Sequence, residues 1–246
     1  MWNAEAIVEI VAAGLFRAAT DRDREQAASG LDHLAELALQ PLVGGFLRDA
    51  GFGVWPEERY PGDRAHRQKS RGRRCDLVLT PGDRPLGQAA ADPRSGETLE
   101  SLTGRPGDGI PASEESLQVD GDSFWLEIKT VAQFSSGGPA RDYSSRLLGD
   151  VAADVGKIAS DPGIRHAGLL LILFTRDRDT ARHDLLAWRV RCLERDFPVF
   201  SPAFGDFPLN DRLGNGHATV ALFPVVPSLE PEDSLPGPED DGREEA

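Results

Sequence analysis

Apolar residues recur along the first fifty positions with helical spacing. Over residues 3–19, Ile7, Val8, Val11 and Leu15 fall on one side, the pattern of an amphipathic helix. A second helical pattern covers residues 23–50, with Gly51 as its stop and Pro41 expected to kink or divide it. The period then shortens. Residues 54–60, 74–80 (RCDLVLT) and 124–130 (FWLEIKT) predict three strands. Helical spacing returns over residues 143–159, where Leu147, Val151, Val155 and Ile158 form a stripe. Residues 166–175 (HAGLLLILFT) are an unbroken apolar run, expected of a strand covered on both faces. A helix over 181–195 and a strand over 216–223 complete the series. This order predicts an α/β sandwich with a central mixed β-sheet flanked by helices.

Two stretches fall outside the pattern. Residues 81–123 are rich in Gly, Pro, Ser and acids and read as a long inserted loop. Residues 227–246 hold eight carboxylates, one arginine and four prolines, a composition that cannot build a core. The expected organisation is an N-terminal helix over 1–22, a body over 23–226 and an acidic tail over 227–246. The formal net charge of −14 argues at first against a nucleic-acid partner. Half of it belongs to the tail, however, and eight more acids lie between 89 and 123. The body is much closer to neutral. Two cysteines, Cys75 and Cys192, supply no disulfide framework, so a reducing, cytoplasmic setting is expected. The first apolar stretch is short and carries Glu5 and Glu9, which argues against export or a membrane partner.

Three residues carry candidate chemistry: Asp76, Glu127 and Lys129. Glu127 and Lys129 are two apart on one strand and project to the same side. Asp76 lies on the preceding apolar strand, which can pair with it as a hairpin across the inserted loop. All three sit within core-grade runs, where an unpaired charge costs several kcal/mol. Two carboxylates, a backbone carbonyl such as that of Ile128, and waters suit Mg²⁺ or Mn²⁺. Such an ion assists attack of water on a phosphodiester, and an ammonium offsets the charge that develops. Lysine occupies only three of 246 positions, against 24 arginines. A lysine two residues after Glu127 is therefore not the residue this chain uses for ordinary surface pairs.

An Asp on one strand followed by E-x-K on the next, here Asp76 and Glu127-Ile128-Lys129, resembles the PD-(D/E)xK nuclease superfamily. The resemblance covers roughly residues 31–175 and implies a restriction-endonuclease-like sandwich. It implies that Asp76 and Glu127 bind Mg²⁺ and that Lys129 assists the attacking water. Members often carry a Glu on the first helix at the position of Gln40; Glu36 lies one helical turn earlier, on about the same face, and is the candidate fourth catalytic residue. Cys75 stands where the family has Pro.

Residues 64–74 (RAHRQKSRGRR) contain six basic residues and no acid. Arg67, Lys69, Arg71, Arg73 and Arg74 are candidates for contacts to nucleic-acid phosphates, with DNA the expected partner, the alternative being a solvated loop. On the helix over 141–159, Arg146, Asp150, Asp154 and Lys157 form a polar stripe, read as a solvent face carrying an Asp154–Lys157 pair, the alternative implied by the resemblance being that polar residues of this helix support the site. The five histidines lack metal-ligand spacing, Gly156-Lys157-Ile158 lacks the phosphate-loop pattern, and no G-x-S-x-G elbow occurs. The expected function is a Mg²⁺-dependent DNA nuclease, as a homodimer or part of a larger complex. The alternatives are a non-catalytic nucleic-acid- or partner-binding module of the same fold and an acidic nucleic-acid mimic.

Overall fold

The protein is described from a computed structural model, which covers residues 2–62, 74–82, 84–86 and 121–226. Arg67, Lys69, Arg71 and Arg73, most of the inserted loop and the acidic tail lie outside the described residues. Helix α1 (Ala4–Arg24) starts where the Asn3 side chain accepts the Ala6 N–H at 3.1 Å, a favourable N-cap. It ends at Gln26, whose φ of 52° is left-handed. A short turn of 3₁₀ helix, Leu31–His33, leads into α2 (Glu36–Asp49). The division expected at Pro41 falls instead before Glu36. Pro41 lies inside α2, which gives up one backbone hydrogen bond there.

Strands β1 (Gly53–Arg59), β2 (Arg74–Thr80) and β3 (Phe124–Ala132) follow. A two-residue pair, β4 (Phe134–Ser135) and β5 (Gly138–Pro139), forms a small hairpin. One α turn (Tyr143–Ser145) and a wide π turn (Arg146–Asp150) precede α3 (Val151–Ala159). The chain closes with β6 (His166–Thr175), α4 (Arg178–Leu193), β7 (Ala203–Pro208) and β8 (His217–Val225). Sheet order is β1-β2-β3-β6-β8-β7, with β3 and β6 parallel and every other neighbouring pair antiparallel. The α/β architecture with a mixed central sheet is therefore present, and β7 is a strand the sequence pattern does not predict.

Alternation along the strands builds two cores. Trp125 and Val131 of β3 with Leu169, Leu171 and Leu173 of β6 pack against Val151, Val155 and Ile158 of α3 and Leu185 and Trp188 of α4. Leu126 and Ile128 with Leu170 and Ile172 pack against Ile7, Val11 and Leu15 of α1 and Leu39, Val43 and Leu47 of α2. The N-terminal helix is thus part of the main core. A Cβ at Gly205 of β7 would lie 2.7 Å from the Ala12 Cβ, so only glycine lets α1 approach this closely. Among the described residues no helix is long and apolar enough to cross a membrane.

Candidate active site

The sheet opens at one place. In register, β2 and β3 pair as Leu79–Phe124, Val78–Trp125 and Leu77–Leu126. The next residues along would be Asp76 and Glu127, and there the ladder stops. Asp76 uses its side chain instead: its Oδ2 accepts the Ile128 N–H at 2.7 Å. One turn of helix supplies the following partner, because Glu36 Oε2 accepts the Thr130 N–H at 3.1 Å. Two backbone donors of β3 that a neighbouring strand would have taken are thus met by carboxylates. Residues on the same side of a strand direct N–H and C=O together, so the Ile128 carbonyl opens toward this fork as well.

The acid pair lies inside the fork. Glu127 is 3 % exposed, and its Oε1 accepts a short hydrogen bond from the Tyr60 hydroxyl. Tyr60 follows β1 and stacks on Trp125 with ring centroids 5.8 Å apart, which fixes the hydroxyl. Burial pushes the Glu127 carboxyl up to about 8; Asp76 pushes the same way, and the Tyr60 hydrogen bond opposes it. Burial also raises the Asp76 carboxyl above its ordinary value, against the Ile128 N–H, which lowers it. Tyr60 itself is held far above the usual phenol range, first by burial and then by Cys75 and Glu127. Glu127 is buried and Asp76 half-buried, and charge on one carboxyl disfavours charge on the other.

Lys129 reaches out of the fork between two further acids. Its Nζ lies 2.9 Å from Glu36 Oε1 and 3.1 Å from Asp154 Oδ2, the second an ion-pair approach without hydrogen-bond alignment. Asp154 is 3 % exposed and is also paired with Lys157. Burial works to lower the Lys129 ammonium, but Glu36 and Asp154 more than offset it and hold the group above the ordinary lysine value. The π turn brings Arg146 Nη2 to the Thr130 carbonyl at 3.0 Å, closing the far side of the same site.

The structure therefore brings Asp76, Glu127, Lys129 and Glu36 together, as the sequence pattern anticipates. Gln40 lies one turn along α2, in a cavity that Asp76 also lines. Arg74, the one described member of the basic run, sits at the start of β2 and donates to the Glu57 carbonyl at 2.6 Å. The Asp154–Lys157 pair exists, but its expected setting is corrected: Asp154 is buried and faces Lys129, because α3 lies across the fork. Tyr60 and Asp154 are the residues the sequence pattern misses. Tyr60 reads as one more strand aromatic, and Asp154 as half of an ordinary i,i+3 surface pair.

The donors suit a hard cation: two carboxylates with one oxygen each not used by Ile128 or Tyr60, and a backbone carbonyl. Among the described residues no group of three His, Cys, Asp or Glu side chains is arranged as a ready metal cage. Mg²⁺ does not need one, since it keeps several waters and commonly takes only one or two carboxylates. Compared with protein-family models, curated proteins and solved structures, the chain finds no match.

Proposed function

We propose that the chain is a Mg²⁺-dependent nuclease that hydrolyses phosphodiester bonds in DNA, on a sandwich of the PD-(D/E)xK, restriction-endonuclease-like type. The observation that carries this reading is the fork between β2 and β3. It sets a buried carboxyl, Glu127, and a half-buried one, Asp76, beside a lysine fixed by two other acids. A closed Lys129–Glu127 ion pair would cancel the site; instead Lys129 pairs with Glu36 and Asp154, and Glu127 with Tyr60.

Asp76, Glu127 and the Ile128 carbonyl would hold the ion, which supplies Lewis-acid stabilisation of charge on the attacked phosphate. Tyr60 keeps the Glu127 carboxyl from turning away, and the Ile128 N–H does the same for Asp76. Lys129 stays protonated, so its role is that of a donor and not of a base. Its N–H groups orient the attacking water, and its charge offsets the negative charge that grows on the phosphate. Glu36 and Asp154 aim the ammonium; the water's proton leaves to solvent as the new P–O bond forms, and the bridging P–O bond breaks with its leaving oxygen taking a proton from solvent. Arg74 and Arg146 provide positive charge near the site.

The test is cleavage of single-stranded, double-stranded and branched DNA with Mg²⁺, Mn²⁺ or EDTA, for the wild type, Asp76→Asn and Lys129→Met. Metal-dependent cleavage lost in both variants, with unchanged folding, supports the reading. Cleavage that survives in both refutes it. One observation favours a second reading, a non-catalytic nucleic-acid- or partner-binding module: Gln40 stands where the resembling family often carries a Glu, and the chain as a whole is acidic. Metal-independent DNA binding without cleavage would select that reading.

A further inference from the structure

A cavity of about 350 Å³ lies between α2 and the β1–β2 hairpin, and Asp76 is one of its lining residues. It therefore borders Asp76 of the acid pair and opens on the α2 side of the sheet. Its walls are mainly apolar, with Pro41, Val54, Pro56 and Leu77 among them, and Arg48 adds a positive charge. A cavity of this volume is within the range that encloses a small organic group.

Gln40 breaks the apolar lining. The residue is 8 % exposed, and none of the described residues hydrogen-bonds its side chain. The neighbouring polar groups differ: Asp76 Oδ2 has the Ile128 N–H, and the Glu57 carbonyl has Arg74. A primary amide offers two donors and one acceptor on adjacent atoms. The Gln40 amide meets solvent through the cavity, so a group entering it can replace that water by presenting a donor beside an acceptor. A nucleobase does so along its edge, and its flat faces suit walls of proline and aliphatic side chains. Because Asp76 lines both spaces, the base would belong to a nucleotide next to the phosphate being cut.

We infer that this cavity is a subsite for one unstacked nucleobase of the cleaved DNA strand, read along its edge by the Gln40 amide. The inference rests on the nuclease reading above. It sets the substrate as single-stranded or locally opened DNA, since a base within a duplex cannot enter a cavity between a helix and a hairpin without leaving its stack.

The experiment is a cleavage series with the full-length protein and Mg²⁺. Single-stranded oligonucleotides carry an abasic sugar stepped one position at a time across the cut site. At one position adjoining the cut, loss of the base lowers kcat/KM about tenfold. Gln40→Leu lowers kcat/KM on the intact strand by a similar factor and shows no further loss on that abasic strand. Gly44→Ala is the second variant. Its Cβ would lie 3.5 Å from the Val54 side chain, an ordinary contact, while taking up cavity space, and it gives a similar loss. A 2-aminopurine at that position brightens on binding to Lys129→Met protein and does so less with Gln40→Leu added. Cleavage that is equally tolerant of abasic sites everywhere, or unaffected by Gln40→Leu, overturns the subsite and leaves the nuclease reading standing. If the wild type cleaves no DNA at all, the nuclease reading falls and the subsite with it.

Discussion

In the metal-free protein, Glu127 should make folding less favourable as pH rises. Its carboxyl is almost wholly buried beside Asp76, so in the folded chain it keeps its proton to about pH 8, against an ordinary value of 4.5. Between those limits the folded state binds more protons than the unfolded one, so stability falls as pH increases. At 1.36 kcal/mol per pH unit, the loss reaches about 3 kcal/mol by pH 7 and about 5 kcal/mol above pH 8. Below pH 4.5 both states are protonated and the penalty is absent. Such a loss is a large part of the ~5–15 kcal/mol that stabilises a typical domain. Glu127→Gln keeps the shape, removes the titration and should stabilise the metal-free protein at pH 7 to 8 by an amount approaching about 3 kcal/mol. Urea unfolding at half-unit steps from pH 4.5 to 8.5, in EDTA, measures both curves. The wild-type midpoint should fall with pH, the variant's should stay nearly level, and added Mg²⁺ should lift only the wild type. A wild-type curve flat across that range, or a variant less stable than wild type at pH 8, would falsify the account of a proton held in the acid pair.

Other expectations follow from the same geometry. Lys129→Met should lower kcat by about 10²–10³-fold, as for other fixed charge-stabilising donors, whereas Glu36→Gln should lower it less because Asp154 still aims the ammonium; single-turnover rates separate the two. Tyr60→Phe removes the donor to Glu127 and should reduce stability by about 1–3 kcal/mol, read as a shift in the urea midpoint at pH 8. Thr219 and Arg182 hold Asp206 below the usual carboxylate range in spite of burial. Its contribution is complete at neutral pH and lost as pH falls below 3.8, so the stability gap between wild type and Asp206→Asn should close in acid. Trp188, fully buried and edge-on to Phe223 at 4.4 Å, should lose about 3–5 kcal/mol on truncation to Ala, measured by thermal unfolding.

Much of this arrangement was legible from residue spacing. β6 announced itself as an unbroken apolar run, and Glu127 and Lys129 stood out as charges within a strand whose other residues belong to a core. What spacing could not show was depth. Asp154 and Lys157 look the same in sequence whether α3 faces water or lies over a gap in the sheet. β7 (AFGDFP) was hidden because Gly205, Asp206 and Pro208 interrupt its alternation; it holds as an edge strand through pairing with β8 and the close approach of α1. The pattern ends the first helix at 19 and starts the second at 23, whereas α1 runs on to Arg24 and α2 starts at Glu36. Pro41 is the stronger local signal, yet Ser29-Gly30 and the left-handed Gln26 end the first helix, while tertiary packing carries α2 through the proline.

β3 is bound very unequally along its two sides. Toward β6 it is zipped over nine consecutive residues, Phe124 to Ala132; toward β2 only three pairs hold it. The first seam is buried on both faces and should be among the last parts of the molecule to exchange its amide protons, and the second among the first. Glu127 and Lys129 therefore ride on the stationary half of the sheet, while Asp76 rides on the β1–β2 flap. Any relative movement of the two seams is thus expected to swing Asp76 and Gly53–Arg59 against β3, with the lysine as the fixed reference point.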